Sequence, residues 1–173
     1  LRYQLHLVQT ISNTASSALF MMDTQGRATF VNDAAMAMTG FSREELLDRK
    51  PLHLKIHAVR PDGNAYSIWD CPIDRALHKR QSVRQVEEIF YRKDGTQFPA
   101  LCSASPIFKD GEPVGTVVEI EEITSHKKTQ DELKALNETL EKRVQERTVL
   151  AENRAVKLKE LASALTTAEE RER

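Results

Sequence analysis

His53 and His57 stand four residues apart, so on a helix they would share one face and could jointly hold a metal ion, with Cys71 or His78 as a further ligand. Those further ligands lack the close spacing of a metal motif, so the pattern reads as structural or solvated histidines and no metal is assigned. His126 lies in Thr124-Ser125-His126-Lys127-Lys128, without the acidic neighbour that an activated phosphoacceptor needs, and reads as a solvated helix residue. The glycines stand singly at turns and form no phosphate-cradling loop. No Ser-His-Asp or Cys-His arrangement is visible in the sequence either. No catalytic residue is assigned, and the chain is not expected to be an enzyme by itself.

The elements that must position these side chains are set out by turn chemistry. Three antiparallel strands are predicted between Glu88 and Thr124: Ile89-Phe90-Tyr91, then Phe98 to Phe108, then Val114 to Ile123. Asp94-Gly95 and Asp110-Gly111 supply the positive φ angles of the two connecting turns. Pro99 and Pro106 cannot donate to a ladder and are expected at strand ends or bulges. Upstream, Leu19 to Asp23 and Ala28 to Val31 read as a hairpin about Gly26. Asn32 and Asp33 are N-caps for a short helix that stops at Gly40, and Ser42 with Glu45 forms a capping box for the next. A turn is expected at Pro61-Asp62-Gly63, and a helix from about Ser67 to Lys79 with Pro72 in its first turn or breaking it. Leu5, Val8, Ile11 and Ser12 recur at helical spacing, which predicts a flanking amphipathic helix over residues 1–17. Two strands, short helices and three strands make an α+β domain over residues 18–124, a five-stranded antiparallel sheet with helices on one face.

Composition narrows the function. The net charge is −1, with 25 basic and 26 acidic residues, which offers no field for nucleic acid or an anionic membrane. No apolar run is long enough to span a bilayer, and the N-terminus is no signal peptide. Two cysteines, Cys71 and Cys102, suit a reducing compartment, so a cytoplasmic location is expected. The first residue is Leu1, as expected of a piece of a longer protein.

From about Ser125 the chain has no Gly or Pro and is rich in Glu, Lys, Arg, Leu and Ala. Leu133, Leu136 and Leu140 begin a heptad seam, which two four-residue steps carry to Val144 and Thr148. The seam continues through Ala151, Ala155, Leu158, Ala162 and Leu165. The added step is a stutter, a local unwinding of a supercoil. A helix of this length needs a partner for its seam, and a parallel homodimeric coiled coil over residues 125–173 is expected.

Particular stretches resemble a known family. Phe30-Val31-Asn32-Asp33-Ala34-Ala35 followed by Thr39-Gly40-Phe41-Ser42-Arg43-Glu44-Glu45-Leu46-Leu47 is similar to the opening half of a PAS domain. Phe90 to Thr96, Phe98-Pro99, Ser105-Pro106-Ile107 and Gly115-Thr116-Val117-Val118 resemble its closing half. Glu122-Ile123-Thr124 resembles the Asp-Ile-Thr that ends such domains before a signalling helix, with Glu in place of Asp. Asp48 stands where the family often has a glycine. The segment from Leu136 to Thr148 resembles linkers to histidine kinase cores, and Ala168 to Arg173 the lead-in to a kinase dimerisation helix.

The resemblance implies a PAS fold and a sensory or relay module of a two-component sensor histidine kinase, with Glu122, Ile123 and Thr124 passing a change to the helix. It also implies a pocket between the helices and the inner sheet face, for which Met36, Phe41, Leu46, Leu52, Ile56, Trp69, Ile73, Leu77, Ile89, Leu101 and Val117 are the lining candidates. A small apolar or aromatic ligand would suit them, and so would a core filled by the same side chains. Some relatives ligate haem from a helix beside the pocket, a role open here only to His57 or His78, and haem is not expected. Others form a flavin adduct at cysteine, but Asp70-Cys71-Pro72-Ile73 lacks their Asn-Cys-Arg-Phe context, so flavin is not expected either. A ligand-free dimerisation and spacer module, or a PAS module serving a diguanylate cyclase, is the alternative.

Overall fold

The structure is a computed structural model that describes residues 12–60 and 62–172, apart from the side chains of 165–167 and 169–172. The flanking helix expected over residues 1–17 falls, up to Ile11, outside the described residues. The chain divides into two units, Leu1–Ser125 and His126–Arg173.

The first unit is an α+β fold around a five-stranded antiparallel sheet. Its strands are β1 (Ala18–Met22), β2 (Ala28–Val31), β3 (Val83–Tyr91), β4 (Gln97–Lys109) and β5 (Glu112–Glu122), in the order β2-β1-β5-β4-β3. The helices α1 (Asp33–Thr39), α2 (Arg43–Leu46), α3 (His53–Ile56) and α4 (Pro72–His78) all lie between β2 and β3 in the chain. A last helix, α5 (Thr124–Glu172), begins two residues after β5.

The hairpin turns and helix caps form where the sequence places them, while the turn expected at Pro61-Asp62-Gly63 includes a residue, Pro61, outside the described ones. Asp23 closes the first hairpin, accepting from the Gln25 and Arg27 backbone N–H groups at 2.9 and 3.0 Å. Gly40 caps α1 at φ 74°, a conformation that costs a glycine little. The Ser42–Glu45 capping box is formed in both directions. Asp48, standing in place of a glycine, accepts from the Lys50 N–H at 2.8 Å and from Lys55 Nζ at 2.5 Å, while Lys55 also donates to the Glu45 carbonyl. A lysine and an Asx turn thus close the end of α2 that the missing glycine left open. The helix expected from Ser67 is shorter: residues 67–70 form turns and α4 starts at Pro72, with Cys71 as N-cap. Pro72 cannot donate a backbone N–H, so the first helical position suits it. Pro106 sits inside β4 rather than at its end, where pairing with β3 has already stopped at Ala104 and no donor is needed on that side.

Strand register decides the core. The inner face of β4 presents Phe98, Ala100, Cys102 and Ala104, all buried, and these pair with Phe90 on β3 and with Val118 and Ile120 on β5. Phe20 and Val31 complete that face, and Leu46, Leu52, Ile56 and Ile73 cover it from the helical side. Asn32 is fully buried at the junction: its Oδ1 accepts from the Leu19 and Ala35 N–H groups, and its Nδ2 donates to the Ser12 and Ser17 carbonyls.

A buried histidine–cysteine niche and a charged helix entry

One helical turn, α3, carries His53, and His57 follows as its C-cap, so the four-residue spacing does put both rings on one side. The Cys71 thiol arrives from the N-cap of α4 and Asp74 from its first turn. All four side chains are at least nine-tenths buried, at 6% exposure for His53, 1% for His57, 1% for Cys71 and 6% for Asp74. The nearest ligand atoms of His53, His57 and Cys71 lie within 4.8 Å of one another. His57 Nδ1 is 3.3 Å from Cys71 Sγ, and His53 Nδ1 is 3.8 Å from Asp74 Oδ2.

The outward ring nitrogens face different neighbours. His53 Nε2 donates to the Tyr66 carbonyl at 2.8 Å, which leaves Nδ1 as the lone-pair nitrogen. His57 Nε2 faces Glu88 Oε2 at 3.5 Å, and Glu88 is held by the Tyr66 hydroxyl at 3.0 Å. The His57 ring stacks on Phe90 with centroids 4.5 Å apart and meets the Tyr66 edge at 4.6 Å. His53 Nδ1 and His57 Nε2 have no hydrogen-bond partner. The niche encloses about 10 Å³, lined by Met22, Leu52, Ile56 and Ile73 besides the four polar residues. That is about the room one water or one ion needs.

Burial sets the charge states. It drives the His57 imidazole down to about 3, helped by His53, so the ring is neutral at pH 7. It pushes the Cys71 thiol up to about 12 and raises the Asp74 carboxyl, while Cys71 and His53 pull Asp74 the other way. Imidazoles, a thiol and an acidic side chain around so small a space are a set of metal-ligand types more than acid–base machinery.

His78 stands apart, its Nδ1 donating to the Asp74 carbonyl and its ring against Trp69 at 5.0 Å. Of the eleven pocket candidates, Leu46, Leu52, Ile56, Ile73 and Leu77 are buried beneath the helices, and Met36 and Phe41 pack against that core. Trp69 does not line a pocket: it is 69% exposed, in the turns before α4. Ile89, Leu101 and Val117 do not either. Each neighbours an inner-face residue along its strand, so the two-residue period turns them to the opposite sheet face, and Val117 is 40% exposed. Asp74, Tyr66 and Glu88 escaped the sequence reading, although Asp74 lies three residues past Cys71 at a helix start, where a carboxylate reaches back to its cap.

At the other end of the fold, Glu122 meets Arg92. The Arg92 guanidinium lies 4.3 Å over the Phe98 ring, donates to Glu122 Oε1 at 2.7 Å and donates to the Met38 carbonyl at the end of α1. The same Glu122 oxygen accepts from Thr124 Oγ1 at 2.8 Å, in the first residue of α5. The buried Ile123 donates its N–H to the Pro99 carbonyl at 3.0 Å.

The family model described as PAS domain matches residues 16–125. The chain belongs to the PAS domain family. Solved PAS structures share the fold. A PAS domain from Colwellia psychrerythraea is 19% identical at a TM-score of 0.58, covering 70% of this chain and 98% of that one. A domain of a sensory box sensor histidine kinase/response regulator from Geobacter sulfurreducens is 20% identical at 0.52, covering 69% and 95%. Among curated proteins, Two-component system protein A of Emericella nidulans is 27% identical over 124 residues, 72% of this chain. The match spans 17% of that relative's length.

Haem or flavin would need a pocket of some hundreds of Å³ between the helices and sheet of this PAS domain. The niche offers about 10 Å³, and Phe90, Phe98, Leu52 and Ile56 fill the surrounding space, so neither group fits the side chains as they stand. Among the described residues no helix is long and apolar enough to cross a membrane.

Proposed function

We propose that this PAS domain is the sensory and relay module of a two-component sensor histidine kinase, acting as a parallel dimer through α5. The observation that carries the reading is the continuous path from Met38 through Arg92 and Glu122 to Thr124, which ties a helix of the ligand side to the first residue of α5. A shift in the helices that moves Arg92 changes what Glu122 can hold. The start of α5 then gains or loses its anchor, and the two arrangements bias the coiled coil to different registers at the stutter beyond Leu140. A stimulus acts only through different affinities for the two arrangements.

Seam residues Leu133, Leu136, Leu140, Val144 and Leu158 are all exposed on a single chain, which is the state a dimer would relieve. Thr148 Oγ1 is turned back onto the Val144 carbonyl at 2.9 Å, so this layer presents a methyl group. The seam assigned to Leu165 falls among the side chains that are not described. The free thiols Cys71 and Cys102 suit a cytoplasmic setting. In the parent kinase, Glu122→Ala with Thr124→Ala should alter regulation of autophosphorylation while far-UV circular dichroism stays native. Unchanged regulation in that protein would sink the relay.

The filled core supports a second reading, a dimerisation and spacer module without an organic ligand, since an apolar or aromatic molecule would have to displace Leu52, Ile56 or Phe90. A dimer whose PAS domain leaves kinase output the same under every variant of the Arg92–Glu122 pair would favour it.

A further inference from the structure

We propose that His53, His57, Cys71 and Asp74 form a tetrahedral site for a single divalent metal ion, Zn²⁺, between α3 and α4. His53, His57 and Cys71 cluster as three donors and Asp74, 3.8 Å from His53, supplies a fourth: imidazole, thiolate and carboxylate are all ligand types that zinc takes. The space between them, about 10 Å³, admits an ion and excludes an organic molecule.

The inward atoms are available. Because His53 Nε2 donates to the Tyr66 carbonyl, Nδ1 keeps its lone pair, and that atom is buried without a partner. His57 Nδ1 points at Cys71 Sγ, 3.3 Å away. In a tetrahedral site with bonds of about 2.0–2.3 Å, ligand atoms stand about 3.3–3.6 Å apart. The Nδ1–Sγ pair already has that spacing. The Nδ1–Oδ2 pair, at 3.8 Å, and the three N and S ligands, all within 4.8 Å of one another, close by shifts of no more than about one ångström. Of the outward nitrogens, His53 Nε2 is held by the Tyr66 carbonyl, and His57 Nε2 faces Glu88 at 3.5 Å, with Glu88 itself fixed by the Tyr66 hydroxyl.

Charge balance also fits. On binding, the Cys71 S–H bond gives its proton to solvent and an S–Zn bond forms, with no oxidation or reduction. A dication, one thiolate, one carboxylate and two neutral imidazoles sum to zero, so the filled niche buries no net charge.

The inference deepens the sensory reading by naming its stimulus, and it is tested on the metal itself, so it can fail while the relay stands. Metal-free chain is titrated with Co²⁺, whose thiolate charge-transfer band and strong tetrahedral d–d bands report a Cys–His site directly. We expect both bands to saturate at one equivalent and to vanish when Zn²⁺ is added. Cys102→Ser should keep them and Cys71→Ser should lose the charge-transfer band. Should Cys71→Ser fail to fold, alkylation of the wild-type chain decides: Zn²⁺ should slow modification of Cys71 well beyond its effect on Cys102. No thiolate band in the folded chain, a band that survives Cys71→Ser, or equal alkylation of both cysteines with and without Zn²⁺ overturns the site. Binding without any change in kinase output would leave the site standing and remove its role as stimulus.

Discussion

Asn32 is the most exposed to test of the buried polar residues, because each of its four hydrogen bonds has a known partner. Asn32→Ala removes the N-cap of α1, a loss of about 1 kcal/mol. It also leaves the Leu19 N–H and the buried Ser12 carbonyl without their side-chain partner, at about 1–2 kcal/mol each. The sum is about 3–5 kcal/mol, a large share of the stability of an ordinary domain. At about 4–8 °C per kcal/mol for a body of this size, the melting temperature should fall by at least about 12 °C. Asn32→Asp separates the accepting half of the network from the donating half. The carboxylate can still accept from Leu19 and Ala35, but it faces the Ser12 and Ser17 carbonyls, 2.7 and 3.0 Å from the original Nδ2, with nothing to donate. At pH 7 this variant should be about as unstable as Asn32→Ala. Repulsion and burial raise the introduced carboxyl's pKa in the folded state, so the fold takes up a proton that the unfolded chain does not. Relative to Asn32→Ala, the aspartate variant should therefore regain stability as pH falls towards 5. Urea denaturation of both variants at pH 7 and 5 reads this directly. A cost below about 1 kcal/mol for Asn32→Ala, or an aspartate variant as stable as wild type at pH 7, would refute the account of the network.

Acid should destabilise the metal-free protein through His57: the unfolded ring takes up a proton near its ordinary 6.5 and the folded ring only near 3, so stability falls as pH drops through that window, by about 2 kcal/mol at pH 5. The raised carboxyl of Asp74 works in the opposite direction over its own range, so the check is the wild-type profile against His57→Gln in urea; a wild-type profile with the same slope as the variant's would count against a neutral buried imidazole. Gly115→Ala should cost more than about 2 kcal/mol, because a Cβ there meets the Met22 carbonyl of the neighbouring strand, whereas Gly63→Ala meets open space and pays only for its φ of 84°, about 1 kcal/mol. Equal melting temperatures for those two variants would show that β1 yields freely.

Local chemistry made much of this protein legible from the sequence alone. The Asp-Gly turns, the Asn32 and Ser42 caps and the glycine stop at residue 40 are satisfied within a few residues of themselves, so the chain announces them wherever it folds. From these come the element order and, with the paired motifs, the PAS family. The Thr124–Glu122 hydrogen bond is equally local, two residues apart where strand gives way to helix, and the resemblance to the family's Asp-Ile-Thr ending is what marks it.

What the tertiary structure alone decided was which face each strand turns inward and which distant side chains share a space. In β4, Leu101 is more apolar than Ala100 or Cys102, so a reading by hydrophobicity puts it inside; pairing with β3 and β5 fixes the register the other way and leaves the small residues to admit Phe90 and Phe98. Trp69 likewise invited burial, and the turn before α4 carried it out to solvent. His53 and His57 could be paired from their spacing, with Cys71 named only as one of two candidate partners beside His78; Cys71, Asp74, Tyr66 and Glu88 come to them from α4 and its cap, the preceding loop and β3, joined by burial rather than by any periodicity. Sequence spacing measures distance along one element, and a site assembled from three elements has no such measure until the core between them is packed.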